Sequence, residues 1–116
     1  MPVTIYHNPK CSKSRGTMDI LAEKDIQPVV VEYLKTPPDS ATLERFLDKL
    51  GMEPRDLMRK KEAPYVDLDL GNGSLDRAAL IQAIVDNPIL MERPIVVSED
   101  GEVRIGRPPE IVLEIL

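Results

Sequence analysis

The only cysteine of the chain, Cys11, is the residue best suited to covalent chemistry. It lies in the segment His7-Asn8-Pro9-Lys10-Cys11-Ser12-Lys13-Ser14-Arg15, after a β-rich run and at the start of a helical pattern. The first N–H groups of a helix lack partners within the helix and, together with the helix dipole, stabilise an anion at that end. We therefore expect Cys11 to have a lowered pKa and to act as a nucleophile.

The neighbours of Cys11 favour a thiolate over a buried core side chain. Positive charge is available on three of them, Lys10, Lys13 and Arg15. A free cysteine that packs in a core normally has apolar neighbours, which Cys11 lacks. His7 adds positive charge when protonated and could orient the thiolate, or it is an ordinary surface residue. Ser14 can hydrogen-bond a thiolate or a bound oxyanion, or it is simply an early helix residue.

No second thiol is available to resolve an adduct on Cys11. The segment Cys11-Ser12-Lys13-Ser14 has serine where a dithiol motif has its second cysteine. The second thiol must therefore come from another molecule, and glutathione or a glutaredoxin is the natural candidate in a reducing cytoplasm. One cysteine and one histidine also make no zinc site, so we expect no bound metal.

Length and charge restrict the class of protein. The 116 residues, 42% of them hydrophobic, suit one domain over residues 1–116. Fifteen Lys and Arg against 20 Asp and Glu give a net charge of −5, which disfavours nucleic acid as a partner. Because there is no long apolar run and no secretory signal pattern, we expect no membrane partner and a cytoplasmic location.

The first half of the chain predicts a β-α-β unit followed by a helix. Residues 3–6 form a β-rich run, residues 12–24 a helical pattern, and Val29-Val30-Val31 a strand that we expect to be buried. Apolar residues at helical spacing then predict an amphipathic helix that Gly51 ends: Leu43, Phe46, Leu47 and Leu50.

The middle of the chain predicts two more helices. One begins after Pro54, carries Leu57 and Met58, and ends before Pro64. Residues 66–74 have the composition of a loop, and Ser74 is placed to cap a helix that continues to about Val85.

The last third predicts a β-hairpin and a closing helix. Pro94–Val97 and Val103–Ile105 flank a tight turn, and a helix follows Pro109. The early β-α-β unit implies a parallel strand pair, and the hairpin adds antiparallel strands. The predicted class is α/β: a thioredoxin-like fold with a mixed four-stranded sheet and a helical insertion before the C-terminal hairpin.

The segment around Cys11 resembles the active-site loop of the glutaredoxin-coupled arsenate reductases. It is most similar to their short homologues with the Cys-Ser-Lys-Ser-Arg form. Three further blocks agree in order and spacing: Leu57-Met58-Arg59-Lys60-Lys61, Glu92-Arg93-Pro94-Ile95-Val96-Val97 and Ile105-Gly106-Arg107-Pro108-Pro109-Glu110. The similarity extends over nearly the whole chain.

The resemblance implies a thioredoxin-like fold and a role for each matching residue. Cys11 would attack arsenate, and three arginines would hold the oxyanion: Arg59, Arg93 and Arg107. Three other residues would support the thiolate: His7, Ser14 and Arg15. The resemblance also implies a cis peptide bond at Arg93–Pro94. Arginine suits this task because its paired N–H donors match the oxygens of such an anion.

The implied reaction takes its electrons from outside the protein, so no bound cofactor is expected. Glutathione would reduce the arsenic of a Cys11 adduct, and glutaredoxin would resolve the remaining glutathione adduct. Two alternatives stay open on the residues alone. One is a general glutathione-dependent thiol oxidoreductase, and the other is a regulator of the same fold that binds RNA polymerase. Such regulators generally use a C-x-x-C switch and lack the set of oxyanion arginines.

Overall fold

The computed structural model describes residues 2–116 and divides into two compact units. The first unit comprises the chain up to Thr36 together with Arg93–Leu116, and the second comprises Pro37–Glu92. Among residues 2–116, no helix combines the length and the apolar character needed to cross a membrane.

The first unit contains a four-stranded sheet with the order β2-β1-β3-β4. Its strands are β1 (Thr4–Tyr6), β2 (Val29–Val31), β3 (Ile95–Val97) and β4 (Val103–Ile105). Strand β1 runs parallel to β2 and antiparallel to β3, and β3 pairs antiparallel with β4. The predicted mixed sheet is therefore confirmed, with its parallel pair from the β-α-β unit and its antiparallel pair from the hairpin.

Two helices pack together on the core of this unit. Helix α1 (Ser12–Glu23) contacts a 3₁₀ helix that spans Pro109–Ile115. The predicted closing helix is thus correctly located, although its backbone is 3₁₀ rather than α. The core between the helices and the sheet consists of five buried side chains: Val3, Ile5, Leu21, Val96 and Val112.

Strand β2 is present where it was predicted, but the expectation that it is buried is wrong. Val29 and Val30 are 47% and 44% exposed. The strand lies at the edge of the sheet and has one neighbour, β1. A continuous β-branched run is typical of a strand covered on both faces, yet nothing in the run itself distinguishes a central strand from an edge strand.

The second unit is built around two helices. Helix α2 (Ser40–Leu50) is capped at its N-terminus by Asp39, whose carboxylate accepts a 2.9 Å hydrogen bond from the N–H of Thr42. At its C-terminus the cap residue is Gly51, in the left-handed conformation (φ 65°). It packs against helix α4 (Arg77–Asp86). Three of the four apolar residues predicted on α2, Leu43, Phe46 and Leu47, are buried, whereas the fourth, Leu50, is partly exposed. Leu80, Ala83 and Ile84 are buried on α4.

The helix predicted from Pro54 to before Pro64 is wrong. A four-residue 3₁₀ turn, Pro54–Leu57, occupies its start, where Glu53 and Asp56 form a capping box. Met58 is extended and forms an isolated antiparallel bridge with Met91. The next helix, α3 (Ala63–Asp67), has Pro64 in its first turn, where proline is tolerated.

The predicted cap at Ser74 is also wrong, and the predicted loop over 66–74 begins inside α3. The hydroxyl and the N–H of Ser74 both bond to the side-chain oxygen of Asn72, at 2.8 and 2.9 Å. Asp76 caps α4 instead, and its carboxylate accepts a 2.8 Å hydrogen bond from the N–H of Ala79. The helix is capped two residues later than predicted because Ser74 is already hydrogen-bonded to Asn72.

Gly106 is a position where the backbone tolerates no side chain. A Cβ there would lie 2.6 Å from Oγ1 of Thr17 and 2.9 Å from Cγ of Pro94. We expect Gly106→Ala to lower the free energy of unfolding by about 1–3 kcal/mol, the usual cost of overpacking. Urea unfolding measures the effect, and Gly73→Ala is the control because a Cβ at Gly73 meets nothing within 4 Å. Equal stability of the two variants would contradict the packing argument.

Candidate functional site

Cys11 lies at the end of the loop that joins β1 to α1. It is the N-cap residue of α1, with an extended backbone (φ −96°, ψ 125°), and it is 8% exposed. Its backbone N–H donates to the carbonyl of Asn8 at 3.0 Å, and its carbonyl accepts from the N–H of Arg15 at 3.0 Å. The thiol is free, and the strand–loop–helix geometry places it at the helix N-terminus.

The environment of Cys11 lowers the pKa of its thiol. Burial raises the pKa, but the backbone N–H groups of Ser14 and Lys13 and the guanidinium of Arg93 lower it by a larger total. Arg93 lowers it through both its charge and a hydrogen bond. The predicted contribution of the helix N-terminus is thus present, whereas the nearby cation comes from a distant part of the sequence.

Ser14 connects His7 to the loop that carries Cys11. The buried Ser14 hydroxyl lies 2.6 Å from Nδ1 of His7 and accepts a 3.0 Å hydrogen bond from the N–H of Asn8. Burial lowers the pKa of His7, and although Glu32 acts in the opposite direction, the net shift is downward. The imidazole therefore favours its neutral form, and its contact is with Ser14 rather than with the thiol.

The loop itself is fixed by short-range hydrogen bonds. The side-chain oxygen of Asn8 accepts from the N–H of Lys10 at 3.0 Å, and the guanidinium of Arg15 donates to the carbonyl of Pro9 at 3.1 Å. Arg15 thus contacts the loop backbone from an exposed position. Asn8 was not among the predicted site residues. Its position before proline was the available clue that the residue shapes the loop.

Arg93 has an unusual hydrogen-bonding state. Its Nε is buried and has no hydrogen-bond partner among residues 2–116. A buried donor without a partner is costly in a folded protein and is rarely left unsatisfied. Arg93 and Cys11 interact, so this donor lies on a side chain already engaged with the thiol. The peptide bond between Arg93 and Pro94 is cis, as the resemblance implied.

Arg107 directly follows Gly106, where the C-terminal end of β4 contacts Pro94. The N–H of Gly106 donates to the carbonyl of Pro94 at 2.9 Å, and the N–H of Arg107 donates to the carbonyl of Ile105 at 2.8 Å. The next peptide bond, to Pro108, is also cis. The Arg107 side chain is exposed.

Arg59 belongs to the second unit. Its NH1 pairs with Oε1 of Glu62 at 2.7 Å, and its backbone N–H donates to the carbonyl of Leu90 at 2.6 Å. The sequence analysis did not single out Glu62. A carboxylate three residues after an arginine was the available signal, but on a surface helix such a pair is common and carries little information.

Within the first unit, the structure brings four of the predicted residues into one connected group: Cys11, His7, Ser14 and Arg93. The arrangement offers a reactive thiol, a guanidinium donor beside it and a fixed loop. Among residues 2–116, no group of three or more His, Cys, Asp and Glu side chains is placed to hold a metal ion.

Because the pKa of Cys11 is lowered, its alkylation rate should change with pH at lower pH values than for an ordinary cysteine. We expect the rate with iodoacetamide to rise with pH through a midpoint below about 8.5, the ordinary value for cysteine. Because Cys11 is the only cysteine, mass spectrometry reports it without ambiguity. The urea-unfolded protein is the control and should titrate near the ordinary value. A folded-state midpoint at or above about 8.5 would contradict the electrostatics described here.

Known proteins share this architecture. Residues 6–115 match the ArsC family. The chain is 60% identical over 115 residues to the uncharacterized protein YfgD of Escherichia coli (strain K12), with 98% of this chain and 96% of that protein covered. It is 47% identical over 117 residues to the arsenate reductase of Haemophilus influenzae, with 100% of both chains covered. The structure of the arsenate reductase from Vibrio cholerae has a TM-score of 0.94 at 51% identity, with 100% of this chain and 98% of that chain covered. The family match over residues 6–115 and the relatives that it matches over their full length show that the chain belongs to the ArsC family.

Proposed function

We propose that the protein is an arsenate reductase in which the Cys11 thiolate attacks arsenate and external thiols supply the electrons. The observation that carries this proposal is the pairing of a thiol of lowered pKa with Arg93, whose buried Nε has no partner among the described residues. An oxyanion bound beside the thiol would accept from that donor and neutralise the guanidinium. The arsenate reductases among the relatives point to arsenate as the anion.

The roles of the remaining residues are proposed from the resemblance and, where the structure gives them, from contacts. The resemblance alone assigns Arg59 and Arg107 to the oxyanion. Three residues are proposed to support the thiolate: Ser14 directly through its backbone N–H, His7 through the Ser14 hydroxyl, and Arg15 by holding the Pro9 carbonyl. Each of these contacts restricts the loop, and a fixed nucleophile loses less freedom when it reacts.

The first step forms a sulfur–arsenic bond. The Cys11 thiolate attacks arsenic(V), one arsenic–oxygen bond breaks, and the oxygen leaves as water after taking protons from solvent. Arsenic remains pentavalent in this adduct. The arginine donors stabilise the negative charge that the oxyanion oxygens carry as the new bond forms.

The second step transfers two electrons to arsenic. A glutathione thiolate attacks the sulfur of Cys11, a disulfide forms, and the electron pair of the sulfur–arsenic bond stays on arsenic. Arsenic is thereby reduced to the trivalent state and leaves as arsenite. Glutaredoxin then reduces the disulfide between Cys11 and glutathione, which the chain cannot do itself because it has no second cysteine.

The proposal is tested by coupling arsenate reduction to NADPH oxidation through glutathione reductase, glutathione and glutaredoxin. We expect NADPH oxidation that requires arsenate, glutaredoxin and the protein together. Turnover of a glutathionylated peptide without any response to arsenate would contradict the proposal and support the general thiol oxidoreductase.

A further inference from the structure

Positive charge is concentrated near the beginning of an otherwise acidic chain. The net charge of the chain is −5, yet residues 1–18 contain no Asp or Glu and carry Lys10, Lys13 and Arg15. Lys10 and Lys13 lie on either side of Cys11 in the chain, and both are exposed. Within residues 2–116, neither lysine side chain has an ion-pair or hydrogen-bond partner.

The stability of helix α1 does not account for a lysine at its beginning. Lys13 lies in the first turn of α1, where the helix dipole favours negative charge and disfavours a cation. Helices α2 and α4 each have Asp as their N-cap residue, whereas α1 has Cys11 there and no acidic residue in its first turn. The charges of Lys10 and Lys13 therefore suit an anion that comes from outside the chain.

The cationic side chains near Cys11 differ in their burial. The Nε of Arg93 is buried, and it is the donor proposed above for an oxyanion bonded to the sulfur. Lys10 and Lys13 are exposed instead. Cys11 itself is 8% exposed, so a second reactant must reach its sulfur from the solvent side of this loop. The two lysines are placed to meet that reactant.

We propose that Lys10 and Lys13 make Cys11 selective for anionic thiols and disulfides, because their ammonium groups attract the carboxylates of the approaching reactant. The inference rests on the proposed function, in which Cys11 reacts with an external thiol, and it names the class of that thiol. Glutathione belongs to this class, since its carboxylates outnumber its ammonium group. Lysine suits the task because its ammonium is a point charge on a flexible stem, which needs no fixed geometry.

Disulfide exchange tests this preference without arsenate. The Cys11 thiolate attacks one sulfur of a disulfide, and a new sulfur–sulfur bond forms. The original disulfide bond breaks, and its electron pair leaves on the other sulfur as a thiolate. At neutral pH, glutathione disulfide is anionic, 2-hydroxyethyl disulfide is uncharged and cystamine is cationic. Mass spectrometry follows the adduct, because Cys11 is the only cysteine.

The measured quantity is the rate with a charged disulfide divided by the rate with 2-hydroxyethyl disulfide. This ratio cancels any effect of a variant on the ionisation or the nucleophilicity of the thiol. At low ionic strength, we expect Lys10→Gln and Lys13→Gln each to lower the ratio for glutathione disulfide by about threefold, the effect of one charge acting through water over a short distance. The double variant should lower it by about tenfold, and the ratio for cystamine should rise.

Two further measurements depend on charge alone. Salt at about 0.5 M should reduce the difference between the wild type and each variant, because it screens exposed charges. Replacing both lysines by glutamate should make cystamine the preferred disulfide. Glutamate in the first turn suits the dipole of α1, so the thermal unfolding of this variant should show a folded protein.

Lys24→Gln is the matched control, since it removes the same charge from another exposed lysine. Lys24 is the C-cap residue of α1, at the opposite end of a 12-residue helix from Cys11. Such a helix is about 18 Å long, and the Debye length at physiological salt is about 8 Å. Lys24→Gln should therefore have the same ratios as the wild type.

Two results would overturn the proposal. An unchanged ratio in the double variant would mean that the lysines do not act on the charge of the reactant. An equal fall of the ratio in Lys24→Gln would mean that the net charge of the chain acts, rather than the residues beside Cys11. Because the exchange needs no arsenate, charge selectivity without arsenate turnover would support the role of the lysines and contradict the arsenate reductase. Arsenate turnover without charge selectivity would do the reverse.

Discussion

Cys11→Ser is expected to abolish arsenate-dependent turnover while the protein remains folded. The hydroxyl of serine has nearly the shape of the thiol, but it stays protonated where the Cys11 thiol, with its lowered pKa, ionises. Without a thiolate neither the arsenic adduct nor the later disulfide can form. The loss should be at least about 10³-fold, as for removal of a covalent nucleophile. The coupled NADPH assay measures it.

The control for this variant is structural. Cys11 is 8% exposed, so urea unfolding should confirm that the serine is accommodated. Ser12→Ala alters an exposed residue next to the nucleophile and should retain turnover. Persistent arsenate reduction by folded Cys11→Ser would assign the chemistry to another group and contradict the mechanism.

Arg93→Gln is expected to reduce kcat/KM for arsenate by about 10²- to 10³-fold, the effect of removing one donor aimed at a developing anion. Arg93 contributes a buried Nε without a partner, and it also lowers the pKa of Cys11 by charge and hydrogen bonding. The variant should therefore show a higher thiol pKa as well as weaker oxyanion binding. Alkylation against pH measures the first effect, and the coupled assay measures the second.

Comparing two reactions separates arsenate reduction from general thiol exchange. Exchange of Cys11 with a glutathione disulfide needs the thiolate but no oxyanion. Calculated per thiolate, its rate should change little in Arg93→Gln. Arg45→Gln is the control, since Arg45 is exposed and bonds only to Thr42 at 3.2 Å among the described residues. An equal loss of rate in arsenate reduction and in thiol exchange would mean that Arg93 acts only on the thiol. That result would contradict its role as an oxyanion donor.

Much of the fold and of the loop around Cys11 follows from short-range sequence patterns. The β-rich run before Cys11 and the helical pattern after it were enough to predict the position of the thiol at the start of α1. The runs Pro94–Val97 and Val103–Ile105, on either side of a tight turn, were equally informative for the hairpin. These features depend on neighbours within a few residues, which the sequence displays directly.

Two kinds of feature could not be predicted in this way: a choice between two residues suited to the same position, and an interaction between residues far apart in the sequence. Ser74 and Asp76 are both good N-cap residues, and only the contact of Ser74 with Asn72 decides between them. His7 looked like a source of positive charge, but burial lowers its pKa. Arg93 is 82 residues after Cys11, so its effect on the thiol required the antiparallel pairing of β1 with β3.

In the proposed mechanism, Cys11 and glutathione together deliver two electrons to arsenate. The most direct test is a single turnover with protein, arsenate and glutathione but no glutaredoxin. Arsenite is measured by chromatography, and Cys11 is examined by mass spectrometry. The mechanism predicts one arsenite for each Cys11–glutathione disulfide formed, and neither product without arsenate. Disulfide formation that does not depend on arsenate, with no arsenite released, would contradict it.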